Sequence, residues 1–87
     1  MKIRNMEGRN GRAVPNQHVI EADNGDVFFQ SYDSIIAVKR ADGIVLDVTC
    51  WDYSKTTGRY RNQFLGEAKK ETERKIKDGT YRLEGLN

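Results

Sequence analysis

The sequence predicts a single α+β domain of residues 1–87, with a small antiparallel meander sheet of about three to five strands packed against one or two short helices. Three observations carry this. Residues 17–49 hold blocks of β-branched and aromatic residues with a two-residue alternation, divided by Asn24-Gly25 and Asp42-Gly43. After Trp51 the period changes, and Tyr60 and Phe64 stand four residues apart behind Ser54, Thr56 and Thr57. Eighty-seven residues suffice for one small domain.

Taken in order, residues 1–6 read as a short edge strand with Ile3 inward, and Glu7–Arg12 as a glycine-containing turn. Pro15 lacks a ladder donor, so a central strand is not expected to run through it. Gln17–Ala22 and Asp26–Tyr32 form a hairpin across Asp23-Asn24-Gly25, for which Asn-Gly suggests a type I′ turn. Val27 and Phe29 share one face, with Phe28, Gln30 and Tyr32 on the other. Ile35–Arg40 and Ile44–Thr49 are the next pair of strands.

A helix follows, with Tyr60 and Phe64 on its buried face, Leu65 beside them, and Gly66 suited to end it. A second helix is expected from Thr72, whose hydroxyl would cap it, to Asp78-Gly79. Tyr81–Leu83 alternates as a last short strand.

Composition narrows the function classes. The longest apolar run, Ile35-Ile36-Ala37-Val38, is too short to span a membrane, and a cytoplasmic protein is expected. Cys50 is the one cysteine, so no intramolecular disulfide or cysteine-rich zinc site can form; a buried structural thiol is expected. The net charge of +2 is too small to argue for nucleic acid from the total alone. Its distribution is uneven, −1 over residues 1–50 and +3 over residues 51–87.

No catalytic constellation emerges, so no enzyme, cofactor or metal is expected. His18 lies within an alternating strand with no motif around it and is expected to be partly exposed. The aspartates fall mostly at turns, where their side chains bond their own backbone, and Asp52 is placed to cap the Ser54–Thr57 turn. Ser54-Lys55-Thr56 lacks the glycines of a phosphate-binding loop.

Two binding readings remain. The segment Trp51–Arg61 is rich in the Trp, Tyr and Arg that dominate protein interfaces. If Trp51, Tyr60, Phe64 and Leu65 fill the core, Tyr53, Lys55, Arg59 and Arg61 are left as the partner-binding set. A strand edge could also pair with a partner or a second copy. For nucleic acid, Phe28 and Tyr32 could stack bases. Arg59, Arg61, Lys69, Lys70, Arg74, Lys75 and Lys77 could contact phosphates.

Three blocks, Val14–Ile20, Phe29–Ala37 and Trp51–Leu65, together resemble a family of small phage and prophage proteins that is a domain of unknown function. The resemblance covers about residues 10–66; His18 stands where an aromatic is expected. It implies a non-enzymatic phage accessory protein that binds a host protein or ribonucleoprotein in the host cytoplasm. Inhibition of an antiphage defence system such as a CRISPR effector is among the roles it suggests. The alternative is a small nucleic-acid-binding protein. The warrant is associational, and no functional residues carry over.

Overall fold

The computed structural model describes residues 1–87. Six strands form one sheet in chain order: β1 (Lys2–Glu7), β2 (Ala13–Glu21), β3 (Val27–Ser31), β4 (Ser34–Arg40), β5 (Gly43–Asp47) and β6 (Arg82–Glu84). Two helices, α1 (Lys55–Leu65) and α2 (Lys69–Lys77), lie between β5 and β6. The first five strands are the expected meander. The sixth pairs parallel to β5, so the sheet is mixed and larger than three to five strands. Parallel pairing follows from the connection, because two helices carry the chain across one face before it returns.

Alternation sets the faces. Val19, Phe29, Ala37 and Leu46 face each other across β2 to β5 and are buried. Phe29 stacks on Phe64 of α1 with ring centroids 5.7 Å apart, and Tyr60 and Tyr81 complete this core. Between β3 and β4 the register slips by one residue, with Phe29 opposite Ala37 and Gln30 opposite Ile35. Ile36 is the extra residue, and it joins the same core.

The N-terminal strand is an edge, as expected, but with the opposite facing. Ile3 is 60 % exposed and Met6 is the buried residue. Ile3 pairs with Ile20, whose neighbours Val19 and Glu21 take the other face, and that register turns Ile3 away from the helices.

Pro15 lies inside β2, contrary to the expectation that no central strand would cross it. The ladder accommodates it by opening. Between Asn5↔His18 and Glu7↔Ala13 the register shifts, and pairing with β3 begins only at Gln17. Pro15 therefore occupies a stretch where no ladder donor is needed. The adjacent Asn16 takes φ +66°, and its carbonyl accepts the N–H of Tyr32 at 2.7 Å.

The β2–β3 turn is not type I′: at its centre only Gly25 has positive φ. Gly25 N–H donates to Ala22 O at 3.0 Å, and the Asn24 side chain accepts the Asp26 N–H at 3.0 Å. Asn24 thus closes the turn through its side chain and stays out of the left-handed region.

Beyond β5 the chain is fixed by one carboxylate. Asp47 is 3 % exposed. One of its oxygens accepts the N–H groups of Thr49 (3.0 Å) and Cys50 (2.8 Å), and the other that of Leu86 (2.7 Å). The Asn87 side chain then bonds both backbone groups of Ile35, tying the chain beyond β6 to β4. Burial pushes the Asp47 carboxyl up, but the amides of Leu86, Cys50 and Thr49 outweigh it and hold it below the usual carboxylate range.

No helix is long and apolar enough to cross a membrane.

Asp47→Asn, which resembles the protonated acid, is expected to cost about 2–4 kcal/mol at neutral pH. Because the folded pKa is depressed, this stabilisation is present above the unfolded value of about 3.9 and is lost as pH falls through the folded value. Urea denaturation at neutral and acidic pH checks it: the gap between wild type and variant should close in acid. An undiminished gap would remove the carboxylate's charge as the cause.

Candidate functional site

The segment that the sequence singled out forms the β5–α1 connection and the first turns of α1. Ser54 caps α1 by accepting the Thr57 N–H at 3.1 Å. Gly66 closes it at φ +71°, with its N–H donated to Asn62 O at 2.8 Å. Tyr60 and Phe64 are buried, as expected, while Trp51 and Leu65 are half-buried against the core.

Arg61 is a correction. It was expected at the surface, yet it is 1 % exposed. One terminal nitrogen donates to Trp51 O at 2.7 Å and lies 3.3 Å from Asp52 Oδ1. The other donates to Asn62 Oδ1 at 3.0 Å, and the guanidinium carbon sits 5.3 Å from the centre of the Trp51 ring. Arg61 shares a helix face with Thr57 and Phe64, both buried, and this spacing takes it inward.

Gly58 lies beside it. A Cβ at position 58 would stand 3.5 Å from the guanidinium, an ordinary contact distance.

Asp52 does not cap the helix. It bridges Arg61 and the Lys69 ammonium, the latter at 2.7 Å. The Lys69 hydrogen bond is the largest influence on it; with help from Arg61 it overcomes burial and holds the Asp52 carboxyl below its ordinary range.

Around this pair opens a groove of about 680 Å³ lined by Asp52, Lys55, Gly58, Arg59, Arg61, Asn62 and Lys69, with no hydrophobic residue among them. Of the four expected partner-binding residues, Lys55 and Arg59 line it as exposed side chains. Arg61 is part of its fixed wall. Tyr53 is 69 % exposed on the preceding loop and does not line the groove.

The basic residues expected to meet nucleic acid are largely paired. Lys69 is held by Asp52. Arg74 lies 3.0 Å from Glu71 and 3.1 Å from Asp78. Lys75 lies 2.6 Å from Glu67, whose same oxygen accepts the Tyr81 hydroxyl at 2.8 Å. Lys70 and Lys77 make no ion pair; they line a depression of about 650 Å³ shared with Trp51, Ile76, Glu71, Glu73 and Arg74.

The helix carrying these residues begins at Lys69, before the expected start at Thr72. Thr72 is fully buried, and its hydroxyl donates to Glu67 Oε2 at 2.7 Å instead of capping a helix. Of the two aromatics expected to stack bases, Tyr32 is 51 % exposed in the β3–β4 turn and Phe28 is half-buried.

His18 is partly exposed within β2, as the alternation suggested. Cys50 is half-buried; burial and the neighbouring Asp47 raise its thiol pKa, which disfavours the nucleophilic thiolate.

Residues 1–79 match the model of a family of unknown function (DUF8033), and the chain belongs to that family. No curated protein and no solved structure matches it.

Two substitutions test the local construction. Arg61→Met keeps the aliphatic stem and removes every donor. It is expected to cost about 2–4 kcal/mol and to shift the fluorescence of Trp51, the sole tryptophan, to longer wavelength. Unchanged stability and emission would refute the anchoring role. Gly58→Ala fits beside the guanidinium, so the gain in helix propensity should raise stability by about 0.5–1 kcal/mol, read from thermal denaturation. A loss of stability would show that the groove wall cannot accept even one methyl group.

Proposed function

We propose that the chain is a non-enzymatic binding protein whose α1 groove docks a host protein. The observation that carries this reading is that Lys55 and Arg59 form no ion pair while projecting from a helix whose base is fixed by the buried Arg61. Unpaired cations on a rigid element can bond a partner without first breaking internal pairs. Tyr53, exposed on the loop before α1, supplies aromatic area of the kind enriched at protein interfaces.

The resemblance of Val14–Ile20, Phe29–Ala37 and Trp51–Leu65 to small phage proteins is the reason to seek the partner among bacterial proteins, defence effectors included. Nucleic acid is the weaker reading, since Lys69, Arg74 and Lys75 already have carboxylate partners.

Affinity capture from bacterial lysate tests the proposal, with wild-type protein and Lys55→Glu/Arg59→Glu as parallel baits. A protein retained in near-stoichiometric amount by wild type and lost by the variant is expected. A capture profile indifferent to the substitutions would overturn the assignment of the groove.

A further inference from the structure

Arg59 of the α1 groove also lines a second depression. This depression, about 460 Å³, is lined by the β1–β2 loop residues Gly8, Arg9, Asn10 and Arg12, the start of β2, and Arg59 and Tyr60 of α1. Arg59 lines both. No acidic residue lines the second depression, and the one carboxylate in the first, Asp52, is already shared between Arg61 and Lys69.

The loop that supplies the additional arginines is built. Gly8 N–H donates to Arg12 O at 2.9 Å and Gly11 N–H to Gly8 O at 3.0 Å, with Gly11 at φ +74°. The Asn10 side chain accepts the Arg12 N–H at 3.0 Å. The loop is also fixed relative to α1, because Gln63 of α1 donates to Glu7 O at 2.9 Å. Arg9 and Arg12 are exposed and form no ion pair, like Lys55 and Arg59. Four cations outside any ion pair, from two segments remote in sequence, are thereby held along two depressions that share Arg59.

We infer that this surface, Arg9–Arg12–Arg59–Lys55, takes an acidic segment of a partner protein, with carboxylates set along the track. The inference rests on the proposed docking at α1 and extends it to the β1–β2 loop and to the chemistry of the partner. Charge complementarity supplies the attraction. A polypeptide suits the surface better than a nucleic acid strand. Neither depression presents an exposed aromatic ring on which bases could stack, since Tyr60 is 8 % exposed and the first groove has no aromatic lining.

Fluorescence anisotropy tests this with a labelled oligoglutamate peptide and a labelled single-stranded oligonucleotide as probes. The proteins are wild type, Arg9→Glu/Arg12→Glu, Lys55→Glu/Arg59→Glu and Lys70→Glu/Lys77→Glu. The last carries the same change in net charge at α2. All substituted side chains are exposed and outside the internal ion pairs, so folding is expected to persist, checked by thermal denaturation.

Wild type should bind the peptide. Each of the first two variants should weaken binding by roughly tenfold, and the α2 variant by less than about twofold. Loss at Lys55/Arg59 with no effect at Arg9/Arg12 overturns the extended track and leaves the α1 groove standing. Equal losses in all three variants mean net charge alone and overturn the track. Tighter binding of the oligonucleotide, lost in the same two variants, overturns the acidic segment in favour of nucleic acid. Failure to bind the peptide at low salt overturns the acidic-segment inference, whereas the lysate capture judges the α1 groove independently.

Discussion

Burying the Arg61 guanidinium is the constraint around which the helical half of the molecule is arranged. A charge removed from water is tolerated only where its donors and its charge are met. Here the two terminal nitrogens are met by the Trp51 carbonyl, the Asp52 carboxylate and the Asn62 side chain, all from α1 or the loop that leads into it, while Nε has no protein partner. The requirement fixes that loop against the helix. It places Asp52 where Lys69 can reach it, and so couples the start of α2 to the start of α1. The groove is the outer side of this arrangement, and its shape is inherited from an internal electrostatic need.

The same device recurs. Asp47 holds the turn after β5 and the chain after β6. Glu67 gathers Thr72, Lys75 and Tyr81 from α2 and the segment that precedes β6. In a chain this small the apolar core is thin. Asp47, Asp52 and Glu67 bind segments that the core alone would leave loosely connected, each accepting from more than one donor, and Asp47, the buried one, is met at both oxygens. Gln17, 1 % exposed, is the counterexample, since neither end of its amide has a protein partner.

Local rules were enough to read most of the sheet and α1. The alternation within each of β2 to β5, the Asn24-Gly25 and Asp42-Gly43 turns, and the Ser54 and Gly66 caps depend only on near neighbours, and they place those four strands and the first helix. What escaped depends on distant partners. The parallel partner of Arg82–Glu84 lies in β5, across two helices, and no pattern within three residues announces it. The facing of Ile3 is set by its register with Ile20. Thr72 resembles a cap in isolation and is drawn inward by Glu67. At the candidate site, Lys55 and Arg59 were legible as surface residues of α1. Arg61 was misplaced because its charge outweighed its position, although it stands three residues before Phe64 on the buried face. That Arg9 and Arg12 share a depression with Arg59 was not legible, because only the folded chain brings the β1–β2 loop beside α1.

The parallel edge has a kinetic meaning. Each of the first five strands meets its neighbour through a short turn, whereas β6 reaches β5 only after residues 48–81 have been ordered. Closing a loop of that length costs about 2 kcal/mol more entropy than closing a hairpin. The meander can therefore assemble as the chain emerges in synthesis, while β5 waits as a bare edge until both helices are in place. The last three-residue strand then closes that edge, with Tyr81 before it in the core and Leu86 and Asn87 after it bonded to Asp47 and Ile35.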